Sequence, residues 1–219
     1  MMDKVRDIVI PGEDIGDTKT DRSGYGTFEE DGKIISKFVG ILNKGNFLSV
    51  VPLSGVYIPR ADDKVIGFVT DVEKFGWIVD INSPWQGFLS VAEGVDEFVD
   101  IKKTNISRFF DVGDMIYAKI VDTKRGDVQI TMRDPIARKL KGGVTIKITP
   151  SKVPRLIGKE GSMINIIKEK TGTIIRVGQN GVVWISGENV DKAIKAIKTI
   201  EEKSHIIGLT DEITKLLSD

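Results

Sequence analysis

The tetrad Gly158-Lys159-Glu160-Gly161 has the residue types to hold a phosphate chain. Glycine lacks a Cβ, so a sugar-phosphate backbone can approach the main chain closely at both ends of the tetrad. A helix starting at Ser162 would turn its first N–H groups toward that phosphate, with the helix dipole favouring the negative charge. Lys159 adds a cation, and Glu160 opposes it, weakening the contact without abolishing it. A second cationic pair, Lys124-Arg125, falls in a turn between two apolar runs, where exposed charges can meet phosphates.

Other chemistries are poorly served. The chain of 219 residues has no cysteine and one histidine, His205, which excludes disulfides, thiolate nucleophiles and zinc ribbons and leaves no histidine-rich metal site. The acidic pairs Glu29-Glu30, Asp62-Asp63 and Glu201-Glu202 share no pattern of the kind metal-dependent nucleases need, and they read as solvated surface. There is no GxSxG, and Gly142-Gly143 is not followed by the Gly-Lys-Ser/Thr of a nucleotide-binding loop. No cofactor, no metal and no enzymatic activity are expected. The N-terminus lacks the long apolar core of a signal peptide, and no stretch approaches the ~20 apolar residues of a membrane helix, so a cytoplasmic protein is expected.

The formal net charge of zero hides an asymmetry. Residues 1–61 carry 8 Lys/Arg against 9 Asp/Glu, residues 62–137 carry 9 against 14, and residues 138–219 carry 15 against 9, for nets of −1, −5 and +6. From Arg138 to Arg176 there are 10 basic residues and only 2 acidic ones, a charge that attracts a phosphate backbone. Arg155, Lys159, Lys168 and Arg176 are the candidates within it.

The same three segments differ in pattern, and they give the elements that must position these residues. In 1–61, short apolar runs such as Phe38–Leu42 and Phe47–Val51, broken by Gly, Asp, Asn and Pro, predict a small all-β unit, with a hairpin turn at Asn43-Lys44-Gly45-Asn46. In 62–137 five strands are predicted, Val65–Val72, Trp77–Ile81, Gln86–Val91, Met115–Asp122 and Val128–Met132, with a long connection after the third; that is the pattern of an OB-fold barrel. In 138–219 the order is strand, helix, helix, strand, strand, helix. The helix Ser162–Lys170 should bury Ile164 and Ile167 and expose Lys168 and Lys170, and the turn Gly178-Gln179-Asn180-Gly181 joins two strands. The last helix should bury Val190, Ala193, Ile194, Ile197 and Ile200, and the tail 209–219 has the makings of a short helix from Asp211. The fold class is thus mainly β plus α+β.

The run Val153-Pro154-Arg155-Leu156-Ile157-Gly158-Lys159-Glu160-Gly161-Ser162-Met163-Ile164, followed by Thr171-Gly172 and Ile174-Ile175-Arg176-Val177, resembles the KH family in its βααββα arrangement. The resemblance implies a groove beside the glycine loop that clamps about four nucleotides over an aliphatic floor. Ile157, Ile164, Ile175 and Val177 are the floor candidates, each of which could equally be core. The segment Val65–Val72, Phe75-Gly76-Trp77-Ile78-Val79-Asp80-Ile81 and Gln86-Gly87-Phe88-Leu89-Ser90 is similar to the OB barrel of the ribosomal protein S1 type. That likeness implies a base-stacking role for Phe75, whereas Ile78 and Ser90 stand where the family has a second aromatic and a histidine. Trp77 and Phe88 are open between platform and core.

The order of the three units, with Ile10-Pro11-Gly12-Glu13, Gly24-Tyr25-Gly26-Thr27 and Val51–Pro59, is similar throughout to archaeal exosome RNA-binding cap subunits of the S1/KH class. What that resemblance implies is an N-terminal β domain (1–61) docking on a hexameric ring of phosphorolytic exoribonuclease subunits, an S1-type OB-fold domain (62–137), and a KH domain with a C-terminal tail (138–219). It further implies three copies per complex, binding single-stranded RNA, often A-rich, and guiding its 3′ end into the ring. An S1/KH transcription elongation factor or another RNA-binding factor acting without the exosome is the alternative.

Overall fold

The computed structural model describes residues 7–123, 127–204 and 208–217. The first unit is built from β1 (Ile8–Val9), β2 (Asp14–Asp17), β3 (Thr27–Glu30), β4 (Lys33–Ser36), β5 (Gly40–Lys44) and β6 (Leu48–Pro52), arranged as two antiparallel three-stranded sheets, β1-β5-β6 and β2-β4-β3. The expected hairpin at Asn43–Asn46 joins β5 to β6, with Lys44 opposite Leu48. Val9, Ile34, Leu48 and Val50 are the buried hydrophobic side chains of these strands.

The second unit contains β7 (Lys64–Glu73), β8 (Gly76–Asp80), β9 (Gly87–Ser90), a single helical turn α1 (Val91–Gly94), β10 (Met115–Asp122) and β11 (Val128–Thr131). β11 runs parallel to β9 and antiparallel to β10, which closes the five strands into a barrel. Closure removes the sheet edges. Alternation along the strands sends Val65, Val69, Val79, Leu89, Ile116 and Ile130 inward. Trp77 is fully buried among them; its indole N–H donates to Phe110 O at 2.7 Å, and the two rings meet edge to face at 5.0 Å. Trp77 is therefore core. A sixth strand, β12 (Arg138–Leu140), pairs with β10, so the start of the basic third segment adds an edge strand to the barrel sheet.

The third unit runs β13 (Val144–Lys147), α2 (Val153–Ile157), α3 (Ser162–Thr171), β14 (Thr173–Val177), β15 (Val182–Gly187), α4 (Val190–Glu202) and α5 (Leu209–Leu216). Its antiparallel sheet has the order β13-β15-β14, leaving β14 on an edge next to α3. Pro150 and Pro154 sit in first turns, where a missing N–H costs nothing. One sheet face packs Ile175, Val183 and Ile185 against the helices together with Ala193, Ala196, Ile197 and Ile200. Val190 and Ile194 are only partly buried at its margin. The tail helix α5 begins at Leu209 and buries Leu209 and Ile213 in the same core.

The other face of that sheet meets the barrel. Ile66, Tyr117 and Leu140 pack with Val182 and Trp184, and the β14–β15 turn inserts the fully buried Asn180. Its amide donates to Ile66 O at 2.7 Å and Ile81 O at 2.8 Å, while its carbonyl accepts from Ile66 N at 3.3 Å. Gln179 exchanges hydrogen bonds with both Lys64 main-chain groups, at 2.9 and 2.8 Å. Buried polar groups so fully partnered fix one relative orientation of the two units.

Candidate nucleic-acid interface

The loop between α2 and α3 is shaped by left-handed backbone. Gly158 has φ 75° and ψ 176°, Glu160 has φ 53°, and Gly161 has φ 80°. The two glycines are needed for different reasons. A Cβ on Gly158 would stand 2.8 Å from Met163 N, so this position is closed by packing as well as by conformation. At Gly161 the nearest heavy atom would be 3.6 Å away, so its restriction is conformational alone. Gly161 is also the N-cap of α3, and no side chain caps that end. The first N–H groups of a ten-residue helix thus face the loop without a side-chain partner. Lys159 and Glu160 are both exposed at the tip.

The other expected cations are distributed over α2, α3 and β14. Arg155 and Ile157 are half-buried on α2, and Arg176 is half-buried on the edge strand β14. Lys168 was expected to be exposed on α3 but is half-buried, because the end of α3 packs along β14. Burial, and then the charge of Arg176, hold the Lys168 ammonium below its ordinary value. Lys168 is in the last turn of α3, so this pair of cations belongs to the opposite end of the helix from the glycine loop. Of the floor candidates, Ile164 and Ile175 are buried core, while Ile157 and Val177 are partly exposed at its rim.

On the barrel, Phe75 is 58 % exposed at the β7–β8 turn. Phe88 is half-buried on the outer face, in register with Ile78 on β8 and Gln129 on β11. Lys124 and Arg125 lie outside the described residues. Their flanks, Thr123 and Val128, are at the end of the barrel where β9 begins, since Val128 pairs with Gly87, whereas Phe75 is at the end where β9 finishes, since Gly76 pairs with Ser90. The described flanks Thr123 and Val128 therefore do not share an end of the barrel with Phe75. The sequence reading also missed the joint at Gln179 and Asn180, which it took for an ordinary turn.

A barrel of the S1 topology fixed against a KH unit with an open glycine loop defines the class: an RNA-binding protein with S1 and KH domains. Family comparison agrees, matching the S1 RNA binding domain at residues 58–133, the KH domain at 143–202, and, at 8–44, the family described as the exosome complex exonuclease RRP4 N-terminal region. Curated relatives include exosome complex component Rrp4 of Pyrococcus abyssi, 45 % identical over 97 % of this chain and 82 % of the relative. The Rrp4 of Methanothermus fervidus is 41 % identical over 98 % of this chain and 96 % of the relative. A crystal structure provisionally described as an exosome complex RNA-binding protein superposes with a TM-score of 0.68 at 34 % identity, covering 75 % of this chain and 96 % of that one. The chain belongs to the Rrp4 family of exosome components.

Proposed function

We propose that this chain is the non-catalytic, RNA-capturing cap of an exosome, working in the cytoplasm. Three copies sit on a hexameric phosphorolytic ring, take up single-stranded RNA, often A-rich, and guide its 3′ end toward the ring channel. The observation that carries the reading is the glycine loop at the N-terminus of α3, an end that no side chain caps and that carries the exposed Lys159 at its tip, in a chain of the Rrp4 family. The division of labour follows the three segments: 1–61 docks, 62–137 steers and 138–219 captures. Docking is supported by the N-terminal sheet, where Ile8, Ile41 and Val51 stand in register and Ile8, Ile10, Val39 and Val51 are exposed. An apolar face of that kind is a protein-contact surface. The non-catalytic reading rests on the likeness to exosome components built from S1 and KH RNA-binding domains.

The test is RNA affinity of Gly161→Asp and of Lys159→Glu, both of which leave the Gly158 packing untouched. Each should weaken binding at least about tenfold, the scale of a lost charge-assisted contact. Unchanged affinity in both would remove the loop from the mechanism. Incubating the chain alone with RNA, phosphate and Mg²⁺ should leave the RNA intact.

A further inference from the structure

Two of the three tryptophans are core, and the third is not. Trp77 and Trp184 are 0 % and 8 % exposed, and their indole N–H groups donate to Phe110 O and Gly142 O, each at 2.7 Å. Trp85, in the β8–β9 turn, is 41 % exposed. That turn is not slack: Ser83 Oγ accepts from Trp85 N at 3.1 Å and donates to Trp85 O, with Pro84 between them. An aromatic side chain held out on a braced turn has little freedom left to lose on binding.

The surroundings of Trp85 indicate what it would bind. An open cleft of about 730 Å³ on one side is lined by the cross-strand row Ile78, Phe88 and Gln129 together with Gln86 and Asp127. A smaller cleft of about 250 Å³ on the other side runs to Ile58 and Thr123. The floor is the outer face of β8 and β9. Along it the Phe88 ring reaches over Gly76, where a Cβ would stand 2.9 Å from Phe88 Cζ, toward the exposed Phe75. The result is a line of flat or apolar surfaces along one barrel face, ending at Trp85. Two amides and a carboxylate in the lining suit the donors and acceptors of base edges, whereas a purely apolar protein contact would leave them unpaired.

We infer that Trp85 is a base-stacking platform for single-stranded RNA, seating one base in the cleft it shares with Phe88. The inference rests on the RNA-binding reading above and extends it to a residue outside the KH groove. It also accounts for how a barrel with Ile78 and Ser90 in place of an aromatic and a histidine retains a stacking surface. The sugar-phosphate chain would run along the outer rim, away from the Asp127 carboxylate.

The experiment uses the full chain and a twelve-nucleotide oligoadenylate, reading affinity and indole emission together. With Trp77 and Trp184 buried, a change in emission on RNA addition reports Trp85. Wild type should bind with a change in emission, Trp85→Phe should bind comparably without that change, and Trp85→Ala should lose about tenfold in affinity, within the range for one stacked base. Equal binding by Trp85→Ala and wild type, while Lys159→Glu is impaired, overturns this inference alone. No RNA binding by wild type overturns it together with the reading it rests on. Loss of ring binding by Trp85→Ala with RNA affinity intact overturns it in favour of a protein contact.

Discussion

Lys168 and Arg176 are the pair of side chains at which the proposed RNA contact can be tested by titration. Burial of Lys168 and the adjacent Arg176 charge depress its ammonium in the free protein. The negative charge of a bound phosphate would offset both influences, so in the proposed complex the proton is held more tightly than in the free chain. The sign follows: affinity is greatest where Lys168 is protonated in both states, and it falls as pH rises through the depressed free-state value toward the ordinary 10.5. Lys168→Arg should keep affinity near neutrality and abolish that alkaline fall, whereas Lys168→Ala should weaken binding and reduce the slope of log affinity against log salt by about 0.7. Titrations at several pH values and salt concentrations measure both. A pH profile identical in wild type and Lys168→Arg would detach Lys168 from the RNA.

At the scale of elements, two hydrogen-bonded ties carry testable weight. The first is Asn180, whose removal would strand the carbonyls of Ile66 and Ile81 in a dry joint. Asn180→Ala should cost about 2–4 kcal/mol, the penalty of two unsatisfied buried groups, and should split thermal unfolding into separate barrel and KH transitions in calorimetry. The second is Glu201 on α4, which accepts from the N–H and hydroxyl of Thr149, at 2.6 and 2.9 Å, and from Lys198 at 2.8 Å. Burial pushes the carboxyl up, but these bonds outweigh it and hold it below the ordinary 4.5. A depressed carboxylate stabilises the fold above its unfolded value and ceases to do so as pH falls through its folded value. Wild type should therefore lose more stability than Glu201→Gln on acidification below about pH 4.5, as denaturant titrations would show. Neither tie was legible beforehand. Gly178-Gln179-Asn180-Gly181 has the composition of any hairpin turn, and nothing local says that its amide enters another unit. Strand alternation placed the barrel, but a period of two leaves two phases, and only the register put Trp77 inside and Phe88 outside. The basic run beginning at Arg138 obscured the start of β12, because charge describes a surface and not a hydrogen-bonding partner. The glycine loop was legible because a turn of positive φ needs glycine at fixed spacing.

For the whole molecule the relevant quantity is how a modest site becomes a useful one. Glu160 stands in the loop, the barrel segment is net acidic at −5, and the KH segment is net basic at +6. The joint at Asn180 holds these opposed charges in one orientation, so a single copy offers a short basic groove beside a barrel whose net charge adds no attraction for phosphate. A KH groove of that kind clamps about four nucleotides, which on the proposed reading makes a single copy a modest binder. Under the proposal of three copies around one channel the arithmetic changes: once one groove is occupied, the next would see the same strand at a high effective concentration, and binding would gain about 10²–10⁴ without any new contact. The gain requires RNA long enough to reach from one groove to the next. The isolated chain should therefore bind a short oligonucleotide and one of several times its length with nearly equal affinity per site. The assembled complex should bind the short one like the isolated chain and the long one at least a hundredfold more tightly. Equal affinity of the assembled complex for both lengths would mean that the copies act independently. The capture step would then belong to the single groove, and the acidic barrel would have to be explained some other way.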